Sequence, residues 1–225
     1  MTIGFRVLAR KRKVDADTVA KFKALPVANV SDVMSRMTAG GPRLRPLHAG
    51  GSMAGSALTV KTRPGDNLML HKALLMVEPG DVIVVDAGGD LTIALVGELM
   101  LSYAIARGVA GIVINGAVRD YGWIKSNSFP VFAVGITHRG PFKDGPGEIN
   151  VPIALDGMVI EPGDLMLGDD DGLLCVPFDQ AARIHEQARA KNEDEAKTLA
   201  NTQAGKLDPK KWVDESLKKL GCEGV

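Results

Sequence analysis

The stretch from Leu91 to Lys125, LTIALVGELMLSYAIARGVAGIVINGAVRDYGWIK, decides how this chain is read. Leu91, Leu95, Leu99, Tyr103 and Ala106 recur at helical spacing, and Gly108 sits where a helix would stop. The β-branched run Ile112-Val113-Ile114 predicts a strand, closed by Asn115-Gly116 as a turn. A helix from Gly97 to Arg107 rises roughly 16 Å at ~1.5 Å per residue. A strand from Gly111 to Gly116 covers about 20 Å at ~3.3 Å per residue. A reversal at Gly108 therefore returns Arg119 and Asp120 to the helix end that carries Glu98. Two carboxylates, a guanidinium and the amides of Gly97, Glu98, Leu99 and Met100 then share one end of the unit. Such amides bind an anion if the turn starts a helix or follows a kink in one. The expected occupants are a metal ion and a small carboxylate.

Composition bounds the rest. A chain of 225 residues makes one large domain or at most two small ones. With 45% hydrophobic but only 4% aromatic residues, the core must be aliphatic. Lys plus Arg and Asp plus Glu balance at 27 each, so no basic footprint marks a nucleic-acid partner. Cys175 and Cys222 are read as reduced thiols of a cytoplasmic protein. Arg6 and Arg10 interrupt any signal-peptide core, and no apolar run reaches the ~20 residues of a membrane helix.

Along the chain, Asp15 to Leu25 predicts a short helix stopped by Pro26. A second helix, starting near Asn29 or Ser31, is expected to end at Gly40-Gly41. Gly50 to Arg63 reads as a strand, Gly65-Asp66-Asn67 as a turn and Leu68 to Val77 as a helix. Glu-Pro-Gly-Asp occurs at Glu78 to Asp81 and again at Glu161 to Asp164, each time before an apolar run, and fits a turn with glycine at positive φ. Short strands and a glycine-rich loop from Arg139 to Gly147 follow. A hairpin is expected across Gly168 to Gly172, then a long helix from Asp179 to Ala200 and a last one starting at Asp208-Pro209. Trp212, Val213, Leu217 and Leu220 form an apolar stripe on that last helix, which needs a surface to cover. Mixed strands and helices give an α/β or α+β class.

Glu98, twenty intervening residues, then Arg119-Asp120 resembles the acidic-x20-Arg-Asp signature of the regulator of ribonuclease activity A (RraA)-like family. VSDVMSRM, AGSALTVKTRPGDNLMLHKAL, VVDAGGD, RGPFKDGPGEINVPI and GDDDGLLCVP extend the likeness over roughly Asn29 to Ala200. That family includes the 4-hydroxy-4-methyl-2-oxoglutarate / 4-carboxy-4-hydroxy-2-oxoadipate aldolases. The resemblance implies an α/β fold of the swivelling β/β/α, phosphohistidine-domain type over residues 1–200. A C-terminal helical extension would follow at 201–225, and copies would assemble as homotrimers or homohexamers with sites between subunits.

The resemblance implies Asp120 as the metal ligand. One or two carboxylates plus waters suit Mg²⁺ or Mn²⁺. His48, His71, His138 and His185 lack ligand spacing, which argues against zinc. Arg119, a permanently charged fork, would hold the keto-acid oxygen and stabilise an enolate, while Glu98 would orient a water acting as acid or base. The substrate carboxylate would meet amides near Leu99 and Met100. By the resemblance, a neighbouring subunit would add Glu195, or alternatively Glu193. The expected activity is a metal-dependent retro-aldol cleavage of a 4-hydroxy-2-oxo acid to pyruvate, with oxaloacetate decarboxylation alongside. The alternative is a non-catalytic, protein-binding regulator of ribonuclease E. Three other readings fail: the Val84–Asp90 loop lacks nucleotide-loop glycine spacing, Asp169 to Gly172 lacks EF-hand alternation, and nothing around Lys61 or Lys72 signals the burial of a Schiff-base lysine.

Overall fold

The computed structural model describes residues 2–38 and 40–225. In chain order the elements are β1 (Phe5–Val7), α1 (Ala16–Phe22), α2 (Val27–Val33), β2 (Arg45–Pro46), β3 (Met53–Thr62), α3 (Leu68–Met76), β4 (Asp81–Asp86), β5 (Ala94–Val96), α4 (Glu98–Ala106), β6 (Gly111–Val118), α5 (Tyr121–Ile124) and β7 (Val131–Ile136). Then come β8 (Gly147–Ile149), β9 (Ile153–Leu155), β10 (Met158–Ile160), β11 (Leu165–Asp169), β12 (Gly172–Val176), a 3₁₀ turn (Phe178–Gln180), α6 (Ala181–Gln203) and α7 (Trp212–Lys219). The chain divides into two compact units between Arg189 and Ala190, within α6.

The first unit is mixed α/β. Its main sheet runs β1-β8-β3-β4-β6-β7-β2, with β5 beside β6 and the β11/β12 hairpin beside β3. β3, β4, β6 and β7 are parallel, and β9 and β10 form a separate antiparallel pair. The central strands are buried on both faces, which is why they read as continuous apolar runs. Alternation then sorts side chains by face. Ile83, Val85, Ile112 and Ile114 pack with Leu70 and Leu74 of α3 and Leu101 and Ala104 of α4. Val82, Val84 and Val113 face Met53, Phe132, Leu155 and Ile160. A third cluster joins Phe22, Val30, Leu165, Leu174 and Ile184. Phe22 and Phe132 are the aromatic members of an otherwise aliphatic core.

Asp15 caps α1, accepting the Thr18 N–H at 2.9 Å. The two Glu-Pro-Gly-Asp turns use one device: Gly80 and Gly163 take φ +87° and +91°, and Asp81 and Asp164 each accept the N–H of the glutamate three residues back at 2.9 Å. Both aspartates also meet the N-terminal segment, Arg10 chelating Asp81 at 2.8 and 2.9 Å and Arg12 lying 3.5 Å from Asp164.

Four expectations are corrected. Asn115-Gly116 is no turn but the middle of β6. Asn115 pairs with Asp86 of β4, and a register shift against β7 between Ile114 and Ala117 absorbs the irregularity. Leu91 to Val96 is not helical; Ala94 and Val96 pair with Ala117 and Val118, so tertiary pairing overrides an ambiguous apolar spacing. The second helix starts at Val27 and stops at Val33, well before Gly40. The final helix starts at Trp212, because Asp208 closes a local turn on Lys210 N–H (2.9 Å) instead of capping it. Trp212 on that helix and Leu220 just past its end are exposed.

Cys175 is buried, Cys222 exposed, and both are free thiols. Among the described residues no helix is long and apolar enough to cross a membrane.

Candidate active site

β5 sits beside the C-terminal end of β6, and the Arg119 N–H donates to Val96 O at 2.9 Å. The chain leaving β6 is thereby tied to the residue just before Gly97, the N-cap of α4. Gly108, at φ +74°, makes the reversal between α4 and β6. Asp120 takes a left-handed conformation (φ +58°, ψ +39°), and its carbonyl accepts from Trp123 and Ile124 to open α5. Its carboxylate turns back to α4, where Oδ2 accepts the Glu98 N–H at 2.9 Å. Arg119 Nε lies 3.8 Å from the same oxygen, and both side chains are 42% exposed. Glu98, Arg119 and Asp120 therefore meet at one end of the α4–β6 unit.

Gly97 is required by space. A Cβ there would run into Asp120 Oδ2 and come within 2.8 Å of Arg119 Cγ. Of the early-helix amides, Glu98 serves Asp120, and Met100 N–H returns to Gly97 O at 3.1 Å. Gly97 and Leu99 keep N–H groups with no acceptor among the described residues. The amide set open to a ligand is thus narrower than the sequence suggests, and Met100 contributes its side chain instead.

Arg119 also lines a cavity of ≈ 200 Å³ with Asn67, His71, Met100, Pro141 and Lys143. Asn67 is buried; its Nδ2 donates to Leu95 O at 2.8 Å, and its Oδ1 has no donor among the described residues. The loop that brings Pro141 and Lys143 passes close to Arg119, since a Cβ on Gly140 would stand 3.1 Å from Nη1. Sequence reasoning missed this wall. It read Gly65-Asp66-Asn67 and Arg139–Gly147 only as connections and dismissed His71 as one of four scattered histidines.

Among the described residues no three His, Cys, Asp or Glu side chains gather as a metal cluster. The donor set at this end is the Asp120 carboxylate with Glu98 nearby, all oxygen. That suits a hydrated hard dication such as Mg²⁺ or Mn²⁺ and does not suit zinc. Lys61 and Lys72 are both exposed, without the burial a Schiff-base lysine needs.

The RraA-like model, described as Aldolase/RraA, matches residues 27–175. The chain belongs to the Aldolase/RraA family. A Halalkalibacterium halodurans protein provisionally named 4-hydroxy-4-methyl-2-oxoglutarate aldolase is 39% identical over 189 residues, 84% of this chain and 90% of the relative. A Thermus thermophilus protein named 4-hydroxy-4-methyl-2-oxoglutarate aldolase is 38% identical over 50% of this chain and 68% of its own length. Relatives bearing an aldolase's name support a lyase. Among solved structures, the RNA-processing inhibitor RraA from Thermus thermophilus matches with TM-score 0.63 and 32% identity, over 68% of this chain and 92% of that one. Streptomyces coelicolor RraAS2, described as an unusual member of the RNase ES inhibitor RraA family, matches with TM-score 0.75 and 27% identity, over 82% and 96%.

The stretch matched to the RraA-like family contains Glu98, Arg119 and Asp120 together with Asn67, His71 and Lys143. Glu193 and Glu195 lie beyond it, on the part of α6 in the second unit, where Glu195 pairs with Lys191 at 2.6 Å. Burial holds the His71 imidazole below its ordinary pKa, and Lys143 pushes the same way, so the ring is neutral at pH 7.

Asp66 is a fully buried carboxylate. Burial raises its pKa, but the N–H groups of Leu68, Asp144 and Gly145 and the charge of Arg63 outweigh burial and leave it below the usual carboxylate range. A depressed folded-state pKa stabilises above the unfolded value and loses that contribution as pH falls through the folded one. Asp66→Asn is therefore expected to melt lower than the native chain at pH 7. The gap should hold above about pH 4, the ordinary carboxylate value, and narrow progressively below it as pH falls toward the depressed folded-state pKa. Thermal melts of both proteins from pH 7 to pH 3 check this; a gap that stays constant with pH would contradict it.

Proposed function

We propose that this protein is a divalent-metal-dependent lyase that cleaves a 4-hydroxy-2-oxo acid by retro-aldol chemistry and releases pyruvate. The observation that carries this reading is the Glu98 N–H to Asp120 Oδ2 bond at 2.9 Å, which binds the α4 N-terminus, Arg119 and Asp120 into one constellation beside a small cavity. Asp120 would hold Mg²⁺ or Mn²⁺, which when bound polarises the keto group and acidifies water. The Gly97 and Leu99 amides receive the substrate's first carboxylate at the positive end of α4. Arg119 takes up the charge that develops on the keto oxygen as the C3–C4 bond breaks. Glu98, an exposed carboxylate at the start of α4, orients the water through which the C4 hydroxyl proton leaves and C3 is reprotonated. Lys143 faces a second, distal carboxylate, with neutral His71 beside it.

Loss of CO₂ from oxaloacetate generates the same enolate, so decarboxylation should accompany the aldol cleavage. A lactate-dehydrogenase-coupled assay tests both: pyruvate should appear with Mg²⁺ or Mn²⁺ and stop with EDTA. Turnover that ignores EDTA overturns the reading. The names of the Thermus and Streptomyces structures favour one second reading, a regulator that binds an RNA-processing nuclease. Nuclease capture without pyruvate release would favour it.

The exposed apolar residues Leu75, Leu99, Tyr103 and Ile105 support assembly of several copies, the proposed homotrimer or homohexamer. In such an assembly Glu195 of a neighbouring copy is the proposed additional carboxylate.

A further inference from the structure

We infer that Asp66 is a positioning residue that sets the substrate-side wall of the cavity. Its Oδ1 accepts the Leu68 N–H at 2.9 Å, at the start of α3, the helix that carries His71. Its Oδ2 accepts the N–H groups of Asp144 at 2.7 Å and Gly145 at 2.9 Å, and Arg63 Nη2 lies 3.1 Å away. One carboxylate thus holds together the two segments that sequence reasoning treated as separate connections.

The backbone repeats the pairing. Asp66 bridges Phe142 in parallel fashion, Phe142 N–H donates to Gly65 O at 2.9 Å, and Asn67 N–H donates to Phe142 O at 3.0 Å. Lys143 lies between Phe142 and Asp144, each fixed to the 65–67 turn. Its Cα cannot drift while those bonds hold, and Gly140 at the other end of the loop abuts Arg119. The chemistry requires a carboxylate. Its acceptor-only oxygens meet three converging N–H donors and a guanidinium, whereas an asparagine would turn its own NH₂ against some of them. Asp66 lies outside the set of residues lining the cavity, so it acts through Lys143, Asn67 and His71.

The test combines kinetics, which rest on the lyase reading, with two measurements that do not. In Asp66→Asn the KM for a 4-hydroxy-2-oxo diacid should rise by about tenfold or more, equivalent to ~1.4 kcal/mol. Exchange of the pyruvate methyl protons with solvent, which needs Glu98, Arg119, Asp120, the added dication and the Gly97 and Leu99 amides but no distal-carboxylate contact, should stay within about twofold, because it uses none of the residues through which Asp66 acts. Lys143→Ala should raise KM similarly in the native background and add little in Asp66→Asn, the non-additivity of a shared path. Limited trypsin digestion should cut Asp66→Asn after Lys143 several times faster than the native chain.

If Asp66→Asn does not fold, the native protein still answers. By hydrogen exchange, the Asp144 and Gly145 amides should be protected well beyond those of Arg139, Gly140 and Lys143. Equal KM and equal cleavage at Lys143 overturn the inference. So does a loss of proton exchange as large as the change in KM, or unprotected Asp144 and Gly145 amides. Should the native protein release no pyruvate, the lyase reading fails, and proteolysis and amide exchange still decide the role of Asp66.

Discussion

Asp120→Asn is expected to lower pyruvate release by about 10³-fold while leaving the thermal midpoint nearly unchanged. Asparagine tolerates the left-handed backbone that residue 120 adopts, and its side-chain oxygen can still accept the Glu98 N–H. The fold of the site is therefore kept and only the negative charge is removed. Charge stabilisation by a bound dication is worth several kcal/mol, and each ~1.4 kcal/mol is a decade in rate. Asp120→Ala should lose the same activity and also stability. It abandons the Glu98 N–H at a cost of ~1 kcal/mol and places a Cβ-bearing residue without a compensating polar group at φ +58°, about 1–2 kcal/mol more. Coupled pyruvate assays across a Mg²⁺ titration, with melts of both variants, separate the two contributions. An Asp120→Asn enzyme with native turnover would leave the proposed chemistry without a metal ligand.

Gly97→Ala carries the second-largest expected effect, a fall of about 10²-fold in kcat with the fold retained. The backbone at Gly97 is extended (φ −149°), so alanine is not strained there by its dihedrals. The obstacle is the added methyl, which would stand 3.0 Å from Asp120 Cγ, overlap Oδ2 and press on Arg119. Those side chains are half exposed and will yield, and a displacement of about 1 Å at a reacting constellation costs roughly 10²-fold. Gly122→Ala is the control. It lies two residues from Asp120 and, among the described residues, nothing approaches its added Cβ within 4 Å, so kcat should not change. Equal kcat in both variants would show that the close approach of α4 to residues 119–120 has no bearing on turnover.

Much of this candidate site is legible in the sequence. Helical rise and strand length are nearly invariant, so a helix, a glycine reversal and a strand of known lengths return Arg119-Asp120 to Glu98 with little freedom. The same regularity exposed the Glu-Pro-Gly-Asp turns, whose glycines and aspartates act within four residues. Where the local signal was ambiguous, distant partners decided. Leu91 to Val96 fits either period, and the end of β6 made Ala94–Val96 a strand. Asn115-Gly116 is a turn sequence by itself, yet pairing with β4 carried the chain straight through it.

From composition and regular geometry over about two dozen residues came a class with mixed strands and helices, the aliphatic core and the Glu98–Arg119–Asp120 constellation, while the family resemblance narrowed the class to α/β. The tertiary structure alone assigned the opposite wall. Asp66 meets Phe142, Asp144 and Gly145 across more than seventy residues of chain, and no periodicity or spacing encodes a contact at that separation. The buried carboxylate and the amides that satisfy it are recognisable as partners only once the folded sheet has brought them together.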